Sequence, residues 1–437
     1  MKRVVPGGAA VVAVIALLLA QGAPRAEAAT TLYVTSSADS GPGSLRDAIG
    51  TANGNSSVNL ILLKNTTPIT LSSYVEYTGS QALTVRGDNL LTNRVIQGAS
   101  ACSLFVSSGG ADLTFQRVTF QDSDCSAIDV DVSNGDGEVA VTLERVLIQR
   151  VVSYGLIMSE GGPRDASMRV KLSATTMQDI GHEAVYLYED GPGSLTMDVS
   201  RSSILRAGGE GVFAVSYTEG DLSFTASNSS FNNNGANGLT LWTKDGASAH
   251  ATLQNVHADG NEGGGVFVED FDGGSVAVRT SGSTMSDNGA SGLAVLEHDG
   301  GGVQLTLLLS WLERNGGVGM GVVEDGAGDV GFLISGSTAR GNGWCCAPAT
   351  DGYQLYEAGE GDLRGIFSSS IASGNGGNGY VLVEQDDGEF DVTYYLAAAL
   401  GNTFGGTWAA AGGAAGVIRS IASNVGPYTL ANVNVVP

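Results

Sequence analysis

Positive charge is what this sequence has least of relative to its size: 21 Lys and Arg stand against 45 Asp and Glu, for a net charge of −24. Phosphate backbones and anionic bilayers are recognised by clustered Lys and Arg, so nucleic acid is excluded as an expected partner. Proline is scarce too, with 9 residues beside 65 glycines, which fits neither a Pro-rich linker nor a collagen. A hydrophobic fraction of 42% excludes wholesale disorder. With only 4 His, no Ser-His-Asp spacing assembles a nucleophile triad. The apolar run from Ala9 to Ala20 is too short for a membrane span, and no later stretch qualifies.

That short run has a different use. Lys2 and Arg3 precede it and Ala26-Glu27-Ala28 follows it, the pattern of a signal peptide over residues 1–28 with cleavage after Ala28. The mature chain is therefore expected to be secreted or held at the cell surface, with no transmembrane segment after cleavage.

Downstream, the chain repeats itself. Asn234, Asn261, Asn288, Asn315 and Asn342 are each 27 residues apart, followed by Asn375 after 33 and Asn402 after 27. Val185, Val212, Leu239, Val266, Leu293 and Met320 keep the same register, and two residues on so do Leu187, Ala214, Leu241, Val268, Val295 and Val322. Aliphatic residues at i and i+2 in every unit describe the buried face of one strand. Each unit holds three such runs, as in "SVAVRTS", "STMSDNG" and "GLAVLE". Three strands per unit stacked on identical strands give an all-β parallel β-helix, whereas a propeller blade needs four strands and roughly 40 residues. About a dozen coils of about 27 residues are expected over residues 59–416, a rod on the order of 60 Å long. Residues 29–58 then form an N-terminal cap and 417–437 a C-terminal cap. The repeated Asn are expected as a structural ladder: an Asn at a turn enters the left-handed region and its amide both donates and accepts from coil to coil.

The segment "YVTSSADSGPGSLRDAIGTAN", Tyr33 to Asn53, resembles the N-terminal capping segment of bacterial exported right-handed parallel β-helix repeat proteins, whose core motif often reads C-S-L-R-E-A. Here Gly43-Ser44-Leu45-Arg46-Asp47-Ala48 stands in its place, without the Cys and with Asp for Glu. The resemblance implies a right-handed coil and export, and no particular reaction. Ser44 suits a helix N-cap, with Leu45, Ala48 and Ile49 as the apolar face that covers strand edges.

Cys102 and Cys125 precede equivalent strands one coil apart, which places them within disulfide reach in an exported chain. Cys345 and Cys346 lie on an inserted loop, where a vicinal or intermolecular disulfide is the expectation and zinc less so.

Three surface features are candidates for function. Glu189, Asp270, Glu297, Glu324, Glu357 and Glu384 share one register, interrupted by Ser216 and Thr243, with Asp272 and Asp299 in a second column. Read as a solvated stack, Asp270, Glu297, Glu324, Asp272 and Asp299 are candidate Ca²⁺ ligands, although no cofactor is required. Tyr186, Tyr188, Phe213, Trp242, Phe267 and Tyr356 lie between the buried columns, so alternation points them outward, where flat rings suit the C–H faces of sugars unless the turns fold back over them. For catalysis, "IGHEA" and Asp386-Asp387 are too many coils apart to make a glycosidase pair, and Lys244 or His298 is the candidate base for a lyase. The leading expectation is an exported carbohydrate-binding or adhesive module with a polysaccharide or cell-surface glycan as partner. The alternative is a polysaccharide-degrading enzyme, a lyase of uronate polymers.

Overall fold

The computed structural model describes residues 30–135, 137–161, 166–343, 350–413 and 415–436. Residues 1–28, expected as a signal peptide, and the Cys345–Cys346 pair lie outside them. The described chain winds into a parallel β-helix of about 14 turns. One sheet of 14 strands runs from Val75–Tyr77 to Tyr428–Ala431. The other two strands of each coil join a 22-stranded sheet, and a four-stranded sheet beginning at Trp311–Glu313 continues one of those series. Each strand pairs in parallel with its counterpart one coil away, as Leu293–Glu297 does with Val266–Asp270 and Met320–Glu324.

The expected alternation explains the core. In Leu293–Glu297 the first, third and fifth side chains are buried and the two between are half-buried, a pattern repeated by Val185–Glu189, Val266–Asp270 and Tyr353–Glu357. Each Leu, Val or Phe so buried contributes roughly 1.5–3 kcal/mol, and the contribution recurs with every coil. Beyond residue 416, where a cap is expected, the chain adds Gly416–Ile421, Tyr428–Ala431 and Val433–Val436 to the stack, so this end finishes in strands rather than a helix.

The other end is closed by the single helix among the described residues, Leu45–Asn53. Ser44 caps it by accepting from the Asp47 N–H at 3.2 Å, while Asp47 Oδ2 accepts from the Gly43 N–H at 3.1 Å. Leu45, Ala48, Ile49 and Ala52 are buried. Its polar residues serve the exposed edge of the 14-stranded sheet: Arg46 donates to the carbonyls of Tyr74 at 2.7 Å and Ser73 at 2.9 Å, and Asn53 donates to that of Glu76 at 2.9 Å. An edge that would otherwise template association is thereby paired.

The Asn ladder forms as expected. From Asn234 to Asn402 each side-chain N–H donates to the next Asn Oδ1 at 2.9–3.0 Å. Each of the first six also offers its backbone N–H to that oxygen, for instance Asn288 to Asn315 at 3.1 Å. One detail differs from the sequence expectation. The left-handed residue is the one before each ladder Asn, namely Asn233, Gly260, Asp287, Arg314, Gly341, Gly374 and Gly401, with φ between 55° and 71°. That residue turns the corner, which leaves the Asn itself free to point inward. Cys102 and Cys125 are joined, with Cα atoms 4.5 Å apart.

Candidate functional site

The acid column is where the structure departs most from the sequence expectation of a solvated stack. Glu160, Glu189, Asp270, Glu297, Glu324, Glu357 and Glu384 are all 0% exposed. The reason is register: Glu189, Asp270, Glu297, Glu324 and Glu357 hold the fifth position of their strands, and Glu160 and Glu384 the equivalent place, on the inward side of the alternation. From Glu189 to Glu384 each carboxyl folds into the turn that follows it and accepts N–H groups that the turn would leave unpaired. Gly301 donates to Glu297 Oε1 at 2.9 Å, Gly326 and Gly328 both donate to Glu324 Oε1 at 3.0 Å, and Gly274 donates to Asp270 Oδ1 at 2.8 Å. Where the column is interrupted, hydroxyls fill it: Thr243 donates to Asp270 Oδ2 at 2.6 Å and Ser216 to Glu189 Oε2 at 3.3 Å. Gly at the fourth residue after the acid is obligatory, since a Cβ on Gly301 would lie 1.8 Å from the Gly274 carbonyl oxygen.

No N–H or hydroxyl reaches Oε2 of Glu297, Glu324 or Glu357, so the carboxyls turn to one another. Burial pushes Glu297 up to about 9, and its hydrogen bond to Glu324 adds to the rise. Burial likewise takes Glu357 and Glu189 to about 8. Glu189, Glu297 and Glu357 are thereby held toward their protonated forms, in which a carboxyl can donate to its neighbour in the column. Asp272 and Asp299 sit apart, on the outer part of the turn. Among the described residues, no three of His, Cys, Asp and Glu converge in a way that could hold a metal ion.

The outward face of the same 14-stranded sheet carries the aromatic residues, all half-buried and pointing away from the core. They form a continuous track. Tyr154 meets His182 at 5.8 Å and Tyr186 at 5.3 Å between ring centroids. Tyr186 stacks on Phe213 at 5.5 Å, Phe213 meets Trp242 edge-on at 4.9 Å, and Trp242 meets Phe271 edge-on at 5.8 Å. Phe271 stacks on His298 at 5.9 Å. The track crosses the sheet diagonally, since Tyr154 precedes its strand, Tyr186 and Phe213 are second in theirs, Trp242 is fourth, and Phe271 and His298 follow theirs. Tyr188 contacts Tyr217 beside the track at 5.4 Å, whereas Phe267 and Tyr356 stand outside the series. Val215, Tyr217, Trp242, Thr243, Lys244 and Phe271 line a pocket of about 190 Å³ at its middle.

Ionisable groups gather at both ends. At one end Glu183 and Glu210 occupy the Tyr154 register, and burial holds Glu210 toward its protonated form, in which it hydrogen-bonds Glu183. Burial raises Tyr154, and the neighbouring Glu183 raises it further. At the other end His298 Nδ1 lies 2.8 Å from Asp325 and Nε2 lies 3.5 Å from Glu269. Burial disfavours the imidazolium, but the two carboxylates prevail and raise His298 above its ordinary value. Lys244 is exposed beside Trp242, so the two candidate bases, Lys244 and His298, share the track but not one reaction centre.

With this geometry, known proteins can be compared. No family model matches the chain, and no curated protein matches it in sequence. Among solved structures, the A-module of the Azotobacter vinelandii mannuronan C-5 epimerase AlgE4 is similar, with a TM-score of 0.54 at 13% identity, over 85% of this chain and 96% of that one. The likeness is one of fold. The AlgE6 A-module of the same organism gives a TM-score of 0.42 at 14% identity over 93% and 99% of the two chains. The catalytic domain of a GH87 alpha-1,3-glucanase gives 0.43 at 12% identity over 92% and 69%.

Tyr154, Glu210, Tyr217, Glu269, Phe271 and Asp325 were not among the residues the sequence singled out. A signal for half of them was present. Tyr217, Phe271 and Asp325 fall in one column with Lys244 and His298, each 27 residues from the next, immediately after the strand.

Proposed function

We propose that this protein is a polysaccharide-active β-helix protein that binds an extended glycan along the diagonal ring track and acts on it with the ionisable groups at the track's ends. The observation that carries this reading is the unbroken series of rings from Tyr154 to His298 on an outward sheet face, spaced 4.9–5.9 Å. A pyranose repeat is about as long as a coil is high, so successive sugars meet successive rings. The AlgE4 A-module, similar in fold, is named for action on mannuronan, which agrees with a glycan as partner. Location outside the cell, expected from residues 1–28, belongs to the same proposal.

His298 is the preferred proton-transfer group. Its Nδ1 is fixed by Asp325, its plane by Phe271, and Nε2 faces the track with Glu269 alongside. A base held in this way abstracts a proton from a sugar carbon or serves a leaving oxygen.

A second reading is favoured by one observation: the two ionisable clusters are separated by the length of the track, with no acid–base pair across a single sugar. It is a non-catalytic carbohydrate-binding or adhesive module. Chain-length analysis of neutral, acidic and aminated polysaccharides, incubated with the protein from Ala29 with and without Ca²⁺, decides between them. Shortening or conversion of one polymer that is lost in His298→Ala supports the enzyme. Binding that is lost in Trp242→Ala without any product supports the module. Failure of every polymer to bind or react refutes both.

A further inference from the structure

The rings say that a sugar fits the track; the charges beside it say which kind. Glu183 and Glu210 stand at one end, and Asp190 hydrogen-bonds Tyr188 on its flank. Glu269 and Asp325 stand at the other end, Asp245 beside Lys244 in the middle, and Asp272 and Asp299 on the turns behind. Against these the track offers Lys244 and a His298 already engaged by two carboxylates. A polymer carrying one carboxylate per sugar would meet repulsion over the whole length of the track, on a chain whose net charge is −24. The pair Glu183 and Glu210 is telling in another way. It occupies adjacent coils in one register, half-buried beside Tyr154 and Tyr186, where burial and the neighbouring Glu183 hold Glu210 toward its protonated form. A cation placed there offsets the pair's charge without that proton, and the neighbouring ring faces favour the same positive group.

We propose that the glycan bound on this track is an aminated one, a polymer of hexosamine units with free ammonium groups, and that Glu183 and Glu210 receive one ammonium beside the rings of Tyr154 and Tyr186. This rests on the proposed function and specifies its ligand. The sugars pack against Phe213 and Trp242, while the amines face the acidic rims. Salt weakens such binding, because the rims are open to solvent.

The test uses calorimetry on the full chain with three hexamers: glucosamine, N-acetylglucosamine and galacturonate. At low ionic strength the free-amine hexamer is expected to bind at least about tenfold more tightly than the acetylated one, the amount that one engaged ion pair supplies. The galacturonate hexamer should be the weakest. Half-molar salt should bring the first two together, and Glu183→Gln combined with Glu210→Gln should reduce their ratio toward one. Circular dichroism confirms that the variant is folded, and the single Glu210→Gln serves if the pair is not. Equal binding of the free and acetylated hexamers, or tighter binding of galacturonate, overturns the charge inference and leaves the ring track standing. Absence of binding by all three overturns both.

Discussion

Raising the pH from 6 to 9 should weaken this protein, the opposite of the usual response of carboxylates that are ion-paired in the folded state. The cause is the buried acid column. An unfolded Glu titrates near 4.3, whereas in the fold Glu189 and Glu357 titrate at about 8 and Glu297 at about 9. Stability from these groups is complete below the unfolded value, where both states are protonated. It falls as pH rises toward the folded values, because only the folded chain still holds the protons. Each excess proton costs about 1.4 kcal/mol per pH unit, so three cost roughly 4 kcal/mol per unit between about pH 5 and 8. Two units are then comparable with the whole stability of an ordinary domain, about 5–15 kcal/mol. Because coils contact only their neighbours, the turns carrying the column should open before the rod does. Melting temperature measured at half-unit steps from pH 5.5 to 9, with hydrogen exchange at the Gly301 and Gly328 amides, reads both effects. Glu297→Gln keeps an acceptor for Gly301 and supplies a permanent donor to Glu324, so the variant's stability relative to the parent should grow steadily from pH 5.5 to pH 8.5. A parental melting temperature that is flat or rises from pH 6 to 8.5 refutes the reasoning, as does a variant with an unchanged slope.

Asn288→Ala should destabilise by about 3 kcal/mol in denaturant melts, since it strands the Asn261 N–H and the Ala258 carbonyl inside the fold. Asn288→Asp should cost more above its own titration, where charge is added to a buried ladder. Replacing Cys102 and Cys125 by Ser should cost about 3 kcal/mol, the value for opening a loop of 23 residues, and proteolysis should show the loss confined to the first coils. Trp242→Ala should lower glycan affinity at least about tenfold, with an unchanged melting temperature, because its ring is half-buried on an outward face. An unaltered isotherm would remove the track from the binding surface.

The fold could be read from the sequence because each coil restates the same constraints. Val266, Leu293 and Met320 occupy one environment, so the inward columns and the Asn ladder emerge from spacing alone. The acid column departs from the solvated stack that its charge suggests, because the alternation Leu293, Val295, Glu297 places the third member inside. The corrective signal is Gly four residues after each acid, at Gly274, Gly301, Gly328, Gly361 and Gly388: a turn with no room for a Cβ and an amide for the carboxyl. The candidate site was only half legible. Tyr186, Phe213 and Trp242 follow from alternation, but the track passes from one column to another, from Trp242 to Phe271 and from Tyr154 to Tyr186. Comparison down a single column does not reveal a diagonal.

On the proposed function, that diagonal sets how a long polymer and the rod meet. A groove parallel to the axis would align the two, and its closed end would select for chain termini. The track instead begins before one strand and finishes after another, so a polymer lying on it crosses the rod at an angle and leaves freely at both edges. Interior segments are then as good as ends, and one strand can thread across many molecules like a rope over successive rungs.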